Sequence, residues 1–168
     1  MSLMTLKDLY IEQLRDLYHA ETQLLDTLPR MAGAASNSRL KDAIMTHLDE
    51  TRDHAQRLER IFGSLSVNPR GEVCHAMLGL MKEADALLEQ PGDPDVKDAA
   101  VIACLQRIEH YEIAGYGTVK TFAKHLEYDD HVKELDHVLQ QEGDADKKLT
   151  RVAEGGWMVT GINQEATR

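Results

Sequence analysis

The sequence predicts an all-α protein built on a bundle of four helices, with one long crossover that contains an extra helix. The first observation is that apolar side chains recur at steps of three and four residues along four long stretches of the chain, a spacing that gives a helix one buried face. The second is that a short turn joins the first two stretches, whereas roughly thirty residues join the second to the third. A short link makes neighbouring helices antiparallel, and a long one can span the bundle.

The first helix is predicted to begin after Thr5, whose side-chain oxygen can cap it, with Asp8 in the first turn where it complements the helix dipole. Pro29 removes one backbone hydrogen bond, but the apolar pattern continues beyond it. The helix is therefore expected to reach about Ala35. A turn at residues 36–38 then leads into a second, antiparallel helix.

The second helix is predicted from Ser38 to Phe62, followed by a crossover over residues 63–94 that contains a shorter amphipathic helix. A crossover of this length would place the third helix parallel to the second. The third helix is expected from about Asp95 to His125.

The fourth helix is predicted to start with Asp129 or Asp130 as its cap. It should stop at the glycine pair 155–156, because glycine readily adopts the left-handed conformation of helix ends. Residues 1–155 are therefore expected to form one domain, and residues 156–168 a C-terminal tail with little helical pattern.

The composition narrows the class of function. A formal net charge of −10 argues against a protein that binds nucleic acid through its phosphates, and an acidic surface attracts cations. Cys74 and Cys104 have no Cys-x-x-Cys spacing, so both are expected to be small core residues and not a disulfide or thiolate metal site. No apolar run approaches the length of a membrane span, and we expect no secretory leader. We therefore expect a cytoplasmic protein without a membrane partner.

Two acids lie on the predicted buried face of the third helix. Glu109 and Glu112 continue its apolar stripe, and residues three apart on a helix share a face. A charged carboxylate is costly to bury unless it is paired, protonated or bound to a cation. The alternative is a stripe shifted by one residue, with Ile108 and Ile113 in the core and both acids beside solvent.

Each of the other three long helices also has acids on or beside its apolar face, near its own midpoint. Glu21 interrupts the leucine stripe of the first helix, and the second helix has acids beside a face that includes His47 and His54. Antiparallel helices of similar length bring these midpoints to one level, so we predict a shared site. The candidate metal ligands are Glu21, Glu50, Asp53, Glu109, Glu112, Glu142 and Asp146.

Such a cluster needs positive charge. Several buried acids could remove most of a domain's net stability, typically about 5 to 15 kcal/mol, and no lysine or arginine lies on the buried faces at this level. A pair of divalent cations would neutralise them. Oxygen-rich ligation favours two iron ions, or manganese, although the order of affinities alone does not exclude zinc. The sequence leaves open whether His47 or His54 binds metal directly, and whether Tyr18 hydrogen-bonds to a ligating carboxylate or only packs.

The acids lie within four motifs: Tyr18-His-Ala-Glu21, His47-Leu-Asp-Glu50-Thr, Glu109-His-Tyr-Glu112-Ile-Ala-Gly-Tyr-Gly117, and Glu142 ahead of Lys148-Leu149. Together they resemble the YciE/YciF family of bacterial ferritin-like proteins over roughly residues 4–153. The resemblance implies a ferritin-like four-helix bundle with a di-iron carboxylate centre, a homodimer, and a link to stress responses without an established reaction. Positions that match metal-binding acids of the wider fold are Glu21, Glu50, Glu109, Glu112 and Glu142.

Two positions depart from the wider fold. Where that fold has a histidine three residues after the acid, this chain has Asp53 and Ala145. Either Asp53 and Asp146 substitute, or His54 reaches the metal. The site is then more oxygen-rich and more anionic than in oxygen-activating enzymes. The resemblance therefore does not decide whether the protein is an enzyme with peroxidase-like or ferroxidase-like activity.

The sequence thus predicts a stress-response protein with a di-iron site, at which a small oxidant such as peroxide or dioxygen can react. In this hypothesis Glu50 and Glu142 bridge or cap the metals, Glu21 and Glu112 are terminal ligands, and Glu109 completes the cluster. One alternative is iron sequestration without turnover, which needs a closed shell of many subunits. Another is a metal-free interaction module in which the acids are protonated or solvated.

Overall fold

A computed structural model of the chain describes residues 3–71, 73–157 and 159–167. Its architecture is all-α, as predicted, and the described part of the chain adds only one small two-stranded sheet. In chain order the elements are α1 (Leu6–Ala34), α2 (Ser38–Leu65), α3 (His75–Leu88), α4 (Pro94–His125), α5 (Asp129–Glu154), β1 (Gly155–Gly156), β2 (Val159–Thr160) and α6 (Ile162–Glu165).

The start of α1 follows local sequence signals. The Thr5 side chain accepts a hydrogen bond from the Asp8 backbone N–H at 3.1 Å, and the Asp8 carboxylate accepts one from the Thr5 backbone N–H at 2.8 Å. This reciprocal arrangement satisfies two backbone donors that the helix itself leaves free. The helix then continues past Pro29, as the apolar pattern predicted.

The start of α5 corrects one prediction. Tyr128 occupies the N-cap position and makes no side-chain capping bond, while Asp129 and Asp130 lie in the first helical turn. The Tyr128 ring lies 5.0 Å from the His131 ring and 6.0 Å from the Tyr10 ring. Tertiary packing of aromatic rings thus decides where the helix begins, and the two acids complement its dipole from inside the first turn.

Contacts at the two ends of the bundle establish the helix directions. At one end, the Asp98 carboxylate near the start of α4 accepts hydrogen bonds from the backbone N–H groups of Ser36 and Asn37, both at 2.7 Å. At the other end, His131 at the start of α5 contacts Tyr10 of α1 and Ser64 of α2. Neighbouring helices around the bundle, in the order α1, α2, α5, α4, are therefore antiparallel. The helices α2 and α4 run parallel, as the crossover predicted.

Two apolar clusters form the core, one on each side of a polar layer at mid-height. The first contains Leu24, Leu28 and Leu105, and α3 packs against it. The second contains Leu14 and Leu58. Both cysteines are free and buried in the first cluster, as expected for small core residues.

The C-terminal segment folds back onto the bundle. Gly155 ends α5 with φ of 76°, which confirms the predicted glycine stop. The segment predicted as a tail forms the β1–β2 hairpin and the one-turn helix α6, whose Ile162 is 1% exposed within the first apolar cluster. The positions Met158 and Arg168 of that predicted tail, and Met1 and Ser2 of the predicted domain, lie outside the described residues. Among the helices described, none has the length and apolar character that crossing a membrane requires.

Candidate metal centre

A layer of buried polar side chains crosses the middle of the bundle. Glu21 of α1, Glu109 and Glu112 of α4, and Glu142 of α5 are each at most 1% exposed. The α2 helix contributes two histidines to the same level, His47 and His54, which are 5% and 0% exposed. Every long helix of the bundle thus places at least one ionisable side chain in its interior.

These side chains form two groups that share one carboxylate. The ligand atoms of His47, Glu109, Glu112 and Glu142 all lie within 4.8 Å of one another, and so do those of Glu21, His54 and Glu142. Nδ1 of His54 lies 2.9 Å from Oε1 of Glu142 and 3.4 Å from Oε1 of Glu21. Nε2 of His47 lies 3.4 Å from Oε1 of Glu109. Two adjacent sites, each with one imidazole, meet at Glu142.

Many polar atoms of this layer have no hydrogen-bond partner within the described residues. They include both carboxylate oxygens of Glu112 and both ring nitrogens of His47, while the close contact between Nδ1 of His54 and Oε1 of Glu142 lacks hydrogen-bond geometry. Leaving such atoms unsatisfied in a protein interior is costly, and native structures rarely do so without a reason. Carboxylate oxygens with a few imidazole nitrogens suit iron and manganese. The donor set therefore fits a pair of cations bound inside the layer.

Burial shifts the acids of α4 toward their protonated forms. Desolvation, followed by the charges of Glu21 and Glu142, raises the pKa of Glu112 well above its ordinary value. Burial also raises the pKa of Glu109, and the nearby His47 offsets only part of that effect. Glu21 shifts in the same direction for the same reason, since burial raises its pKa more than His54 and Tyr116 lower it. Each of these three carboxyls therefore binds a proton more readily than an exposed glutamate does.

The histidines shift toward their charged forms. Burial alone would lower the pKa of His54, but close approach of Glu142 and Glu21 outweighs it and raises the value to about 11. For His47, the carboxylates of Glu109, Glu50 and Glu142 likewise outweigh burial and raise the pKa to about 9. Their charges hold the pKa of Glu142 below its usual value despite burial. His47 and His54 can therefore supply positive charge within the layer, a contribution that the sequence analysis did not include because it considered only lysine and arginine.

Two further polar residues orient the layer. The Tyr116 hydroxyl donates a hydrogen bond to Oε1 of Glu21 at 2.5 Å, and Nε2 of His54 donates to Oε1 of Gln141 at 3.1 Å. The second bond leaves Nδ1 of His54 facing the carboxylates, the kind of outer contact that orients a ligating imidazole. Tyr18 does not take this role, because its hydroxyl donates to the exposed Glu59 at 2.8 Å. The sequence signal for Tyr116 was its spacing of four residues from Glu112 on the same face.

Three predicted ligands lie outside both groups. Glu50 is 28% exposed, and its carboxylate lies 3.8 Å from Nδ1 of His47. Asp53 is 40% exposed and accepts a hydrogen bond from Nε of Arg57 at 2.5 Å. Asp146 accepts a hydrogen bond from the Gln106 side chain at 3.2 Å. The structure brings together Glu21, Glu109, Glu112 and Glu142, and adds His47 and His54.

The structure also decides whether Glu109 and Glu112 on α4 face the core or the solvent. Glu109 and Glu112 are both buried, and Ile108 is 0% exposed beside them. The interior face of α4 is therefore wide enough to include both the acids and Ile108, while Ile113 is only half-buried. A shifted stripe with both acids beside solvent is wrong.

The fold and the layer together define a class of protein, a four-helix bundle with a buried carboxylate–histidine cluster at mid-height. The chain belongs to the family described as a domain of unknown function, DUF892, whose sequence profile matches residues 5–167.

Relatives of known sequence or structure agree with this assignment and confirm the resemblance to YciF. The chain is 38% identical over 167 residues to Protein YciF of Escherichia coli strain K12, covering 99% of this chain and 98% of that protein. Among solved structures, YcfI of Rhodopseudomonas palustris matches with a TM-score of 0.88 and 41% identity over 90% of this chain and 97% of that one. The E. coli stress protein YciF matches with a TM-score of 0.85 and 40% identity over 88% and 93%.

A more distant structure shares the fold. A protein of Xanthomonas campestris pv. campestris matches with a TM-score of 0.69 at 19% identity, covering 88% of this chain and 89% of that one. At this level of identity the match supports the helical architecture alone.

Proposed function

We propose that this protein is a bacterial stress-response protein that holds two iron ions in the buried layer and uses them in redox chemistry with peroxide or dioxygen. The observation that carries the proposal is the set of four buried carboxyls and two buried imidazoles with unpartnered donor and acceptor atoms. The link to stress comes from the relative whose structure is described as the E. coli stress protein YciF.

The two groups divide the ligands between two cations. One cation would be held by His47, Glu109, Glu112 and Glu142, and the other by Glu21, His54 and Glu142. Glu142 belongs to both groups and would be shared between the two cations. This assignment keeps Glu142 in the role predicted for it, and it leaves out Glu50, which was predicted to share that role, together with Asp53 and Asp146.

The protein's own residues prepare the site. Bound iron would supply electrons by cycling between its divalent and trivalent states. Tyr116 holds Glu21 in place through its hydrogen bond, and Gln141 holds the ring of His54. The apolar clusters cover the layer on either side along the bundle axis, and such apolar surroundings strengthen the electrostatic contacts inside it.

Metal content tests this proposal directly. Protein purified without chelator should contain about two irons per chain by mass spectrometry, and its melting temperature should fall when the metal is removed. The double variant Glu109→Ala/Glu142→Ala should lose stoichiometric metal, because each proposed site then lacks at least one ligand. The control Glu59→Gln/Glu134→Gln changes one exposed and one partly exposed acid outside the layer and should keep both ions. Retention of two ions by the Glu109/Glu142 variant would contradict the assignment.

A second candidate is a metal-free bundle that acts as an interaction module. The observation that favours it is the pair of positively charged histidines, since His47 and His54 can balance buried carboxylates without a metal. This version predicts the same melting temperature with and without chelator. A clear difference would exclude it.

We also propose a cytoplasmic homodimer, as the family resemblance implies. Light scattering on the purified protein should give about twice the mass of the 18.9 kDa chain. A shell of many subunits would favour iron sequestration without turnover instead.

A further inference from the structure

We propose that divalent cations reach the buried layer through an acidic depression on the outer face of α2 and a side cavity beneath it, with the Glu50 carboxylate transferring them from one to the other. The inference rests on the proposed function, because it supplies the sites described above with their metal. The residues to which it gives a new role, Asp42, Asp49 and Glu50, lie outside the two ligand groups.

The depression is the outer part of the route. It is lined by Asp42, Asp49, Glu50 and Asp53 of α2, together with Met45, Thr46 and Gln141. Asp49 and Asp53 are each paired with an arginine on the same helix, whereas Asp42 makes no ion pair within the part of the chain that the structure describes. A concave surface lined by carboxylates raises the local concentration of cations and speeds their association.

The side cavity is the inner part. It has a volume of about 90 Å³, which exceeds the space that a single water molecule needs. Its walls are mostly apolar and come from α2, α4 and α5, and its polar lining includes His47, Glu50 and Glu109. It therefore extends from the side of the bundle to one of the two ligand groups.

Glu50 and Thr46 line both spaces, so the two are adjacent. From Glu50 toward the buried layer, side-chain atoms that can bind a cation each lie within 4 Å of the next. The Glu50 carboxylate lies 3.8 Å from Nδ1 of His47, and Nε2 of the same ring lies 3.4 Å from Oε1 of Glu109. His47 is 5% exposed, and both of its ring nitrogens have no hydrogen-bond partner in the described residues. This buried, unpartnered imidazole at the inner end indicates that the route leads to a ligand.

The position of Glu50 explains a residue that the ligand groups leave out. Its partial exposure of 28% is intermediate between the solvent-facing acids and the fully buried ones. A carboxylate that contacts both solvent and the first buried histidine can exchange water ligands of a cation for protein ligands in steps. Lys148 also lines the cavity, and its amine donates to Thr46 at 3.1 Å. Its positive charge opposes cation passage at this point.

The experiment measures the rate of metal uptake apart from its extent. Metal-free, full-length protein is mixed with Co²⁺ in a stopped-flow instrument, and the visible absorption of bound cobalt is followed at low and high salt. The variant Asp42→Asn/Asp49→Asn should take up cobalt about three- to tenfold more slowly at low salt, with the same final content, and the difference should shrink at high salt. Glu50→Gln should slow uptake more, and Lys148→Gln should speed it.

The matched control is Glu83→Gln/Glu89→Gln, which removes the same charge from an exposed position on α3 and from the exposed residue that follows its last turn. It should take up cobalt at the wild-type rate. Equal rates for the Asp42/Asp49 variant and this control, with full cobalt uptake in both, would overturn the route and leave the metal site standing. A reduced final content in the Asp42/Asp49 variant would also overturn it. Wild-type protein that takes up no cobalt would overturn the metal site and the route together.

Discussion

Leu14, Glu21 and Leu28 lie about two turns apart on one face of α1, and all three side chains are 0% exposed. The two leucines belong to the apolar clusters on either side of the layer, whereas Glu21 belongs to the layer itself. Burying a leucine stabilises a fold by roughly 1.5–3 kcal/mol, but burying an ionised carboxylate is unfavourable unless it is neutralised. One face of α1 thus contains both leucines that stabilise the fold and a glutamate whose burial opposes it.

The polar layer interrupts what would otherwise be one continuous apolar core. Leucines at the positions of all six of its ionisable residues would join the two apolar clusters. The sequence instead has four acids and two histidines at this height, and burial raises the pKa of Glu112, while the neighbouring carboxylates outweigh burial and raise that of His54. These groups could hold cations, and the apolar clusters on either side fix their positions.

The largest expected effect concerns the shared carboxylate. Glu142→Gln should lower the metal content from about two ions per chain to about none, because both proposed sites lose a ligand. Glu21→Gln should lose only one ion, since it removes a ligand from one site. Mass spectrometry of metal-loaded protein separates the two results. Equal losses in both variants would contradict a bridging role for Glu142.

The apolar side of the comparison predicts the next largest effect. Leu14→Ala and Leu28→Ala should each lower the free energy of unfolding by about 2–5 kcal/mol, because each leaves a cavity in a fully buried cluster. Both variants should keep the wild-type number of metal ions. Urea unfolding measures the loss, with Leu78→Ala on the exposed face of α3 as the control. A loss of metal in either leucine variant would show that the clusters and the layer are not separable.

Tyr116 connects the two regions, since its ring belongs to an apolar cluster and its hydroxyl binds Glu21 of the polar layer. Tyr116→Phe removes the hydrogen bond to Glu21 and should cost about 1–3 kcal/mol, because it leaves a buried carboxylate oxygen without its donor. Tyr18→Phe is the matched control, since that hydroxyl binds a carboxylate on the exposed surface. Its cost should be clearly smaller. Similar losses in the two variants would mean that burial does not decide the strength of these bonds.

The smallest effect lies on the solvent side of the layer. Burial alone would raise the pKa values of Asp53 and Glu134, but Arg57 holds that of Asp53, and Arg60 together with Arg57 holds that of Glu134, below the usual values of 3.8 and 4.5. A lowered folded pKa gives stability that is present above the usual value and is lost as pH falls through the folded one. The pairs are partly exposed, so Arg57→Gln should cost no more than about 1 kcal/mol near neutral pH.

The effect of Arg57→Gln is checked by measuring the free energy of unfolding of both proteins as a function of pH. The gap between wild type and Arg57→Gln in unfolding free energy should shrink as pH falls below about 4, because protonated acids no longer pair with the arginine. Arg52→Gln, which disrupts a more exposed pair with Asp49, should change stability less. A gap that stays constant down to acid pH would mean that Arg57 acts through packing and not through charge.

Much of the fold follows from local sequence. The Thr5 cap, the passage of α1 through Pro29 and the glycine stop at Gly155 each depend on a few neighbouring residues, and the structure has all three. The cap of α5 depends on rings from distant segments, so the local preference of Asp129 and Asp130 predicted the wrong residue. The fold of the C-terminal segment likewise depends on burial of Ile162 against α4 and α5.

The candidate site divides in the same way. The sequence by itself determined that Glu21, Glu109, Glu112 and Glu142 lie on apolar helix faces at one height, because a period of 3.6 residues assigns the centre of a face. Residues at the border of a face turn inward or outward according to the rotation of the helix in the bundle. Only the tertiary structure decided that His47 and His54 lie inside while Glu50, Asp53 and Asp146 lie at the rim, because neighbouring helices set that rotation.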